Sequence, residues 1–294
     1  MKITINVLLV PVVIAIFLTG QFEMYVIAYF FAFLHEIAHI VVAKHFNLEV
    51  NEIEFLPIGF NARICGTWKL TVERELVLFL CGPAINLLFS AFFLAVSSVV
   101  STTNSKVLIE IITVNIFLAC FNMIPMVPLD GGRILMIILS RGIGIIKCAY
   151  FCIYISKLLN VILLIFGVML FLATGNYIVI IIICYTLGVA LHQGTYIITD
   201  TFLYILNKKN FINKNRIAHI KPLAVRDTTC LIRLLREIDR NHIITALIFN
   251  RDNKIMGTVN EYEVLEYVLI QGPNAVVGDL LRNEGKINSD SFQI

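Results

Sequence analysis

Long apolar runs fill the first 206 residues of this 294-residue chain and constrain its fold more than any other feature. A helix needs about 20 mostly apolar residues to cross the ~30 Å hydrocarbon core of a bilayer. Six stretches have that length, near residues 3–19, 24–46, 75–100, 107–127, 158–174 and 177–199. Only 15% of the residues are charged, whereas soluble domains carry roughly 25%. The pattern predicts an all-α polytopic membrane domain of six transmembrane helices.

Basic residues are distributed unevenly among the loops that join these spans. If the N-terminus is cytoplasmic, Lys106 is the one basic loop residue on the far side. The cytoplasmic side then holds Lys2, Lys44, Arg63, Lys69, Arg74, Arg133, Arg141, Lys147, Lys208, Lys209, Lys214, Arg216 and Lys221. The positive-inside rule therefore predicts a multi-pass protein with both termini in the cytoplasm. The basic stretch 208–221 directly follows the last span, so we interpret it as contacting anionic lipid rather than nucleic acid.

Residues 47–70, between the second and third spans, have a mixed composition. Polar and apolar residues alternate from Asn47 to Glu54, and an apolar segment with Pro57 and Gly59 follows. Alternation bounded by helix breakers predicts short strands. Two alternatives remain open for this segment: a surface loop, or a membrane-associated β-hairpin whose backbone is satisfied by protein or water.

The C-terminal part reads as a small soluble module. Helical periodicity at 231–238 is followed by strand patterns at 243–249 and 255–259, and by a helical pattern at 261–270. These elements predict an α+β fold. The predicted domains are a membrane domain at 1–206, a basic juxtamembrane linker at 207–220 and a cytoplasmic module at 221–294.

The strongest chemical signal lies in the second span, as His35-Glu36-Ile37-Ala38-His39. Positions i and i+4 share one face of a helix, so both imidazoles can reach one metal ion. Glu36 stands beside them, where a carboxylate can accept a proton from metal-bound water. Ionisable groups within a membrane span are costly and are usually functional. The motif therefore predicts one zinc ion per chain, with Glu36 as the general base.

A catalytic zinc site usually has a third protein ligand, and Asp130 is the candidate. It follows two prolines near the end of the fourth span, and Gly131 and Gly132 after it allow close backbone approach. Asp130 could instead cap a helix that starts at Arg133. The span count places Asp130 and His39 toward the same side of the membrane, which favours the ligand role.

These motifs together resemble the site-2 protease family of intramembrane zinc proteases, most closely its sporulation branch. The match rests on the His35–His39 motif, on Gly82-Pro-Ala-Ile-Asn86, and on Asn122-Met-Ile-Pro-Met-Val-Pro-Leu-Asp130-Gly131, over about residues 30–135. The resemblance implies His35, His39 and Asp130 as zinc ligands and Glu36 as general base. It also implies that Asn122 orients the substrate or its oxyanion, and that the hairpin at Gly59 and Phe60 holds the substrate as an extended strand.

The C-terminal module resembles a single cystathionine-β-synthase-type (CBS) domain. Such modules often bind ATP through a hydroxyl and a carboxylate after the second strand; here Asn260 and Glu263 stand at those places. The resemblance thus implies ATP as a candidate ligand, and pairing of the module in a homo-oligomer.

The resemblance further implies a substrate, regulators and a location. The substrate would be the membrane-associated precursor of a sporulation sigma factor, and small membrane proteins would inhibit the protease. The enzyme would lie in the membrane surrounding the developing spore. The alternative function is a membrane transporter or channel regulated by its CBS-type domain.

Overall fold

The computed structural model describes most of the chain. The described residues are 2–7, 9–18, 20, 22–57, 59–99, 106–174, 219–238, 242–272 and 274–283. The α-helices are α1 (Leu9–Leu18), α2 (Phe22–His45), α3 (Val72–Val99), α4 (Lys106–Asn122), α5 (Asp130–Ile143), α6 (Ile145–Thr174), α7 (Leu231–Leu235), α8 (Glu261–Gln271) and α9 (Val277–Asn283). The strands are β1 (Lys2–Ile5), β2 (Glu49–Leu56), β3 (Gly59–Cys65), β4 (His219–Arg226), β5 (His242–Phe249) and β6 (Ile255–Asn260).

The contacts divide the chain into two compact units. One comprises Met1–Ile137 and Cys152–Gly194, and the other comprises Ile138–Phe151 and Thr195–Ile294. The predicted sixth span at 177–199, and residues 207–218 of the predicted linker, lie outside the described residues.

Three described helices are long and apolar enough to cross a membrane: Phe22–His45, Val72–Ser98 and Ile145–Ala173. The first two of these helices correspond to the predicted second and third spans. The helix at Ile145–Ala173 overlaps the predicted fifth span at 158–174. α4, at 17 residues, lies at the lower end of the range for a spanning helix. Large apolar side chains such as Phe92, Phe117 and Phe166 are exposed on these helices. Such surfaces suit a hydrocarbon environment better than water.

The first predicted span is wrong, because residues 2–5 form strand β1 instead of continuing a helix. β1 pairs in parallel with β2, with Ile3 opposite Ile53 and Ile5 opposite Phe55. The helix that follows has only 10 residues. At 1.5 Å per residue it covers about 15 Å, half of the hydrocarbon core. The backbone groups of β1 form hydrogen bonds with the edge of β2. A hydropathy pattern does not reveal such a contact.

Of the two alternatives for residues 47–70, the structure shows the hairpin. β2 and β3 pair antiparallel, and the sheet order is β1-β2-β3. The Tyr25 hydroxyl, near the start of α2, donates a hydrogen bond to the Pro57 carbonyl at the tip of the hairpin (2.9 Å). Farther along α2, Glu36 contacts Ala62 of β3. The hairpin therefore lies alongside α2, a helix long and apolar enough to cross a membrane.

The second unit contains the predicted α+β module. β4, β5 and β6 form one sheet in that order, and β4 is parallel to β5. Leu231, Ile248, Leu265 and Leu280 are among the buried residues of its core. The predicted strands at 243–249 and 255–259 and the helix at 261–270 are confirmed as β5, β6 and α8. β4 was missed because it is mostly exposed and contains Pro222, which is tolerated in an edge strand.

Candidate metal centre

Three potential ligand atoms meet where α2 approaches the start of α5. His35 Nε2 lies 3.1 Å from His39 Nε2 and 3.1 Å from Asp130 Oδ2, and His39 Nε2 lies 3.2 Å from Asp130 Oδ2. Tetrahedral zinc with bonds of about 2.0–2.1 Å separates its ligand atoms by roughly 3.3 Å. The near-equilateral triangle therefore fits a zinc ion, and a fourth position remains for water or substrate. Among the described residues this is the group of side chains that could hold a metal.

The ring orientation of His39 is fixed by the neighbouring helix α3. His39 Nδ1 lies 2.7 Å from the carbonyl oxygen of Leu78, which can only accept a hydrogen bond. Nδ1 must therefore carry the proton, and Nε2 keeps its lone pair for a metal. His35 Nδ1 is buried and has no hydrogen-bond partner in the described part of the chain.

Gly82 of α3 lies directly against both imidazoles. A Cβ atom built at Gly82 would lie 2.5 Å from His35 Nε2 and closer still to His39 Nε2. Cβ atoms essentially never lie within 3.0 Å of an atom in a residue remote along the chain. A glycine at this position is thus a condition for the ligand geometry.

Asp130 is the first residue of α5, and its carboxylate contacts the histidines. Gly131 and Gly132 let the preceding loop pack tightly on this helix, because added Cβ atoms would lie 2.5 Å from Ile124 O and from Val127 N respectively. Its Oδ2 faces the Nε2 atoms of both histidines, as the carboxylate ligand of a shared ion would.

Glu36 lies on the side of α2 that faces the hairpin. Its Oε1 accepts a hydrogen bond from the backbone N–H of Ala62 at 2.5 Å. Glu36 also lines a cavity of about 220 Å³, together with Phe33, Ile37, Ile40, Lys44 and Ile53. Strand β3 thus holds the carboxylate through one of its two oxygens.

The structure gives the predicted substrate-binding residues local contacts. The Asn122 amide donates to the Leu118 carbonyl of its own helix (3.0 Å). The Phe60 ring packs against the rings of Tyr29, Phe33 and Phe55 at centroid distances of 4.5–5.0 Å. Gly59 is buried at a positive φ of 137° against Ala32. Their roles toward a substrate stay predictions.

The two residues predicted to bind nucleotide stabilise the start of α8. The Glu263 carboxylate accepts a hydrogen bond from the backbone N–H of Asn260 (2.9 Å). The Thr245 hydroxyl donates to Asn260 Oδ1 (3.3 Å). Both side chains thus have structural partners, and nucleotide binding there stays a prediction.

Known proteins share sequence and fold with this chain, although no protein-family model matches it. A zinc metalloprotease of Methanocaldococcus jannaschii is 26% identical over 258 residues, which are 85% of this chain and 73% of that protein. The solved structure of a site-2 protease from Methanocaldococcus jannaschii matches with a TM-score of 0.54 and 27% identity, over 66% of this chain and 92% of that one. These similarities support a metalloprotease whose sequence and fold are similar to those of a site-2 protease.

The comparisons confirm the predicted metalloprotease and favour it over a transporter or channel. With the three apolar helices they also support an integral membrane protein. Stage IV sporulation protein FB of Bacillus subtilis is 27% identical over 127 residues, 42% of this chain and 43% of that protein. This match covers less than half of either chain, so the sporulation branch stays a prediction, as does the CBS-type assignment.

Several contacts of the metal centre were not predicted. The Leu78 carbonyl and the Ala62 N–H are backbone groups, which leave no mark in a sequence. Gly82 belongs to a motif that carried the resemblance, but only the structure shows that it packs on the imidazoles of His35 and His39.

Proposed function

We propose that this chain is an intramembrane zinc protease that hydrolyses a peptide bond of a membrane-associated protein. The observation that carries the proposal is the triangle of His35 Nε2, His39 Nε2 and Asp130 Oδ2 on and beside a membrane-crossing helix. His35, His39 and Asp130 would hold the ion. When bound, zinc supplies Lewis-acid chemistry, which acidifies water and polarises a carbonyl oxygen.

Glu36 would transfer the proton in this reaction. The Ala62 N–H holds Oε1, which leaves Oε2 to accept a proton from the attacking water. The same carboxyl group can then return the proton to the leaving amine, since hydrolysis makes a new N–H bond at the departing segment. Because one residue both accepts and returns the proton, no second acid is required.

The hairpin would bind the substrate as an added strand. Among the described strands β3 pairs with β2 alone, so its other edge can accept an extended peptide. A peptide bond within a helix has its carbonyl satisfied and shielded, and unwinding to an extended strand exposes it. Gly59 and Phe60 lie at the start of this edge, and Asn122 would orient the substrate from the end of α4.

The substrate and setting extend this proposal. By resemblance to the sporulation branch, the substrate is the membrane-associated precursor of a sporulation sigma factor, cut on the cytoplasmic side. Small membrane proteins would inhibit the enzyme in the membrane around the developing spore. ATP binding near Asn260 and Glu263, and a homo-oligomer formed through the C-terminal domain, belong to the same proposal.

Co-expression with a membrane-anchored sigma factor precursor tests the function. The wild type should yield a shortened product, and Glu36→Gln should reduce cleavage at least ~100-fold, the usual effect of losing a general base. Glu36→Gln should still contain zinc, because Glu36 is not a ligand. Glu23→Gln, on the exposed first turn of the same helix, is the control and should cleave normally.

Two results would contradict the proposal. Full cleavage by Glu36→Gln would show that Glu36 is not the proton-transfer residue. A purified wild-type protein that binds no zinc would refute the proposed zinc protease function itself.

A further inference from the structure

Two polar residues of α6 contact the loop that carries Asp130. α6 is one of three described helices that are long and apolar enough to cross a membrane, yet Ser156 and Asn160 are only 5% and 1% exposed. They are four residues apart and so share one face of the helix. Polar side chains buried in a membrane helix are costly and are retained where they have a task.

Ser156 is bonded in two directions. Its hydroxyl donates a hydrogen bond to the Cys152 carbonyl of its own helix (2.7 Å), and its Oγ accepts one from the backbone N–H of Val127 (2.9 Å). Asn160 adds a contact from its Nδ2 to the sulfur of Met126 (3.1 Å) and a bond to the Ser156 carbonyl (2.9 Å). Met126 and Val127 are themselves buried.

The loop between α4 and α5, residues 123–129, is thus held from two sides. On one side Gly131 and Gly132 let it pack closely on α5. On the other side α6 supplies an acceptor for the Val127 N–H. Asp130 follows Val127 by three residues, so a shift of this loop would move the carboxylate away from His35 and His39.

We infer that Ser156, supported by Asn160, is a positioning residue for the zinc ligand Asp130. The inference rests on the zinc site of the proposed function. The Ser156 hydroxyl fixes the loop through Val127, and the loop fixes the position at which α5 begins. Residues hydrogen-bonded directly to metal ligands typically contribute 10- to 100-fold to metal affinity, and we expect an effect of this order through the loop.

Zinc affinity of the purified full-length protein, measured by chelator competition, tests this inference. Ser156→Ala leaves the buried Val127 N–H without an acceptor, and we expect roughly 10- to 100-fold weaker zinc binding. Ser156→Thr keeps the hydroxyl and should restore the affinity. The visible spectrum of the cobalt-substituted protein should change in Ser156→Ala and be recovered in Ser156→Thr, which loss of packing alone would not produce.

Asn160→Leu and Asn115→Leu form a matched pair. Asn115 is an equally buried asparagine of α4, and its amide donates to its own helix at Ile111. Asn160→Leu should weaken zinc binding and Asn115→Leu should not. If Ser156→Ala does not fold, the comparison of these two variants tests the inference. Equal effects of the pair, or unchanged zinc affinity in a folded Ser156→Ala, would overturn the inference. A wild type without zinc would instead refute the proposed function.

Discussion

Gly82 contributes to the metal centre by having no side chain. It lies where α3 meets the imidazoles of His35 and His39, and any Cβ there would overlap both Nε2 atoms. The Leu78 carbonyl, one turn earlier on α3, sets the tautomer of His39. A single turn of α3 thus orients one ligand and leaves space for both.

We expect Gly82→Ala to abolish stoichiometric zinc binding, because the added methyl group displaces both histidines. Metal content of the purified protein measures the effect. Gly142→Ala is the matched control, since Gly142 is also helical but has no atom within 4 Å of the added Cβ. Normal zinc content in Gly82→Ala would show that α3 can move away at little cost.

Among the elements, strand β3 connects the sheet to helix α2, which carries Glu36. One edge pairs with β2, while the Ala62 N–H donates to Glu36 of α2. The aromatic cluster around Phe60 and the Tyr25–Pro57 hydrogen bond fix the hairpin along α2. The hairpin therefore both positions Glu36 and offers the strand edge proposed for substrate.

Ala62→Pro removes the N–H donated to Glu36, and proline is tolerated in an edge strand. Hydrogen bonds to charged groups contribute about 1.5–3 kcal/mol, so we expect cleavage to fall roughly 10- to 100-fold. Zinc content should not change. Ala62→Gly keeps the N–H and should cleave normally; if both variants were equally active, the bond to Glu36 would have no part in catalysis.

For the whole molecule, activity should depend on a bound ion that a chelator can remove. We expect 1,10-phenanthroline to abolish cleavage and added Zn²⁺ to restore it, whereas Mg²⁺ should not, because two imidazoles and one carboxylate suit zinc better than a cation that prefers oxygen ligands. Cleavage that persists in metal-free protein would contradict the role of the triangle.

Prediction from the sequence succeeded where a pattern is local. Hydropathy located α2, α3 and α6, and alternation indicated the β2–β3 hairpin. It failed at the N-terminus, where an apolar run reads as a helix but residues 2–5 find a partner strand in β2. The sixth predicted span lies outside the described residues and stays a prediction.

The His35–His39 pair could be recognised without a structure, because helical periodicity places residues i and i+4 on one face. It also pointed to Asp130 through its flanking prolines and glycines. That Asp130, 95 residues from His35, completes the triangle is visible only in the folded chain. The same holds for the contact of Gly82 with both imidazoles, of Ala62 with Glu36, and of Ser156 with the loop before Asp130. These contacts depend on how separate helices and strands pack, which no local pattern encodes.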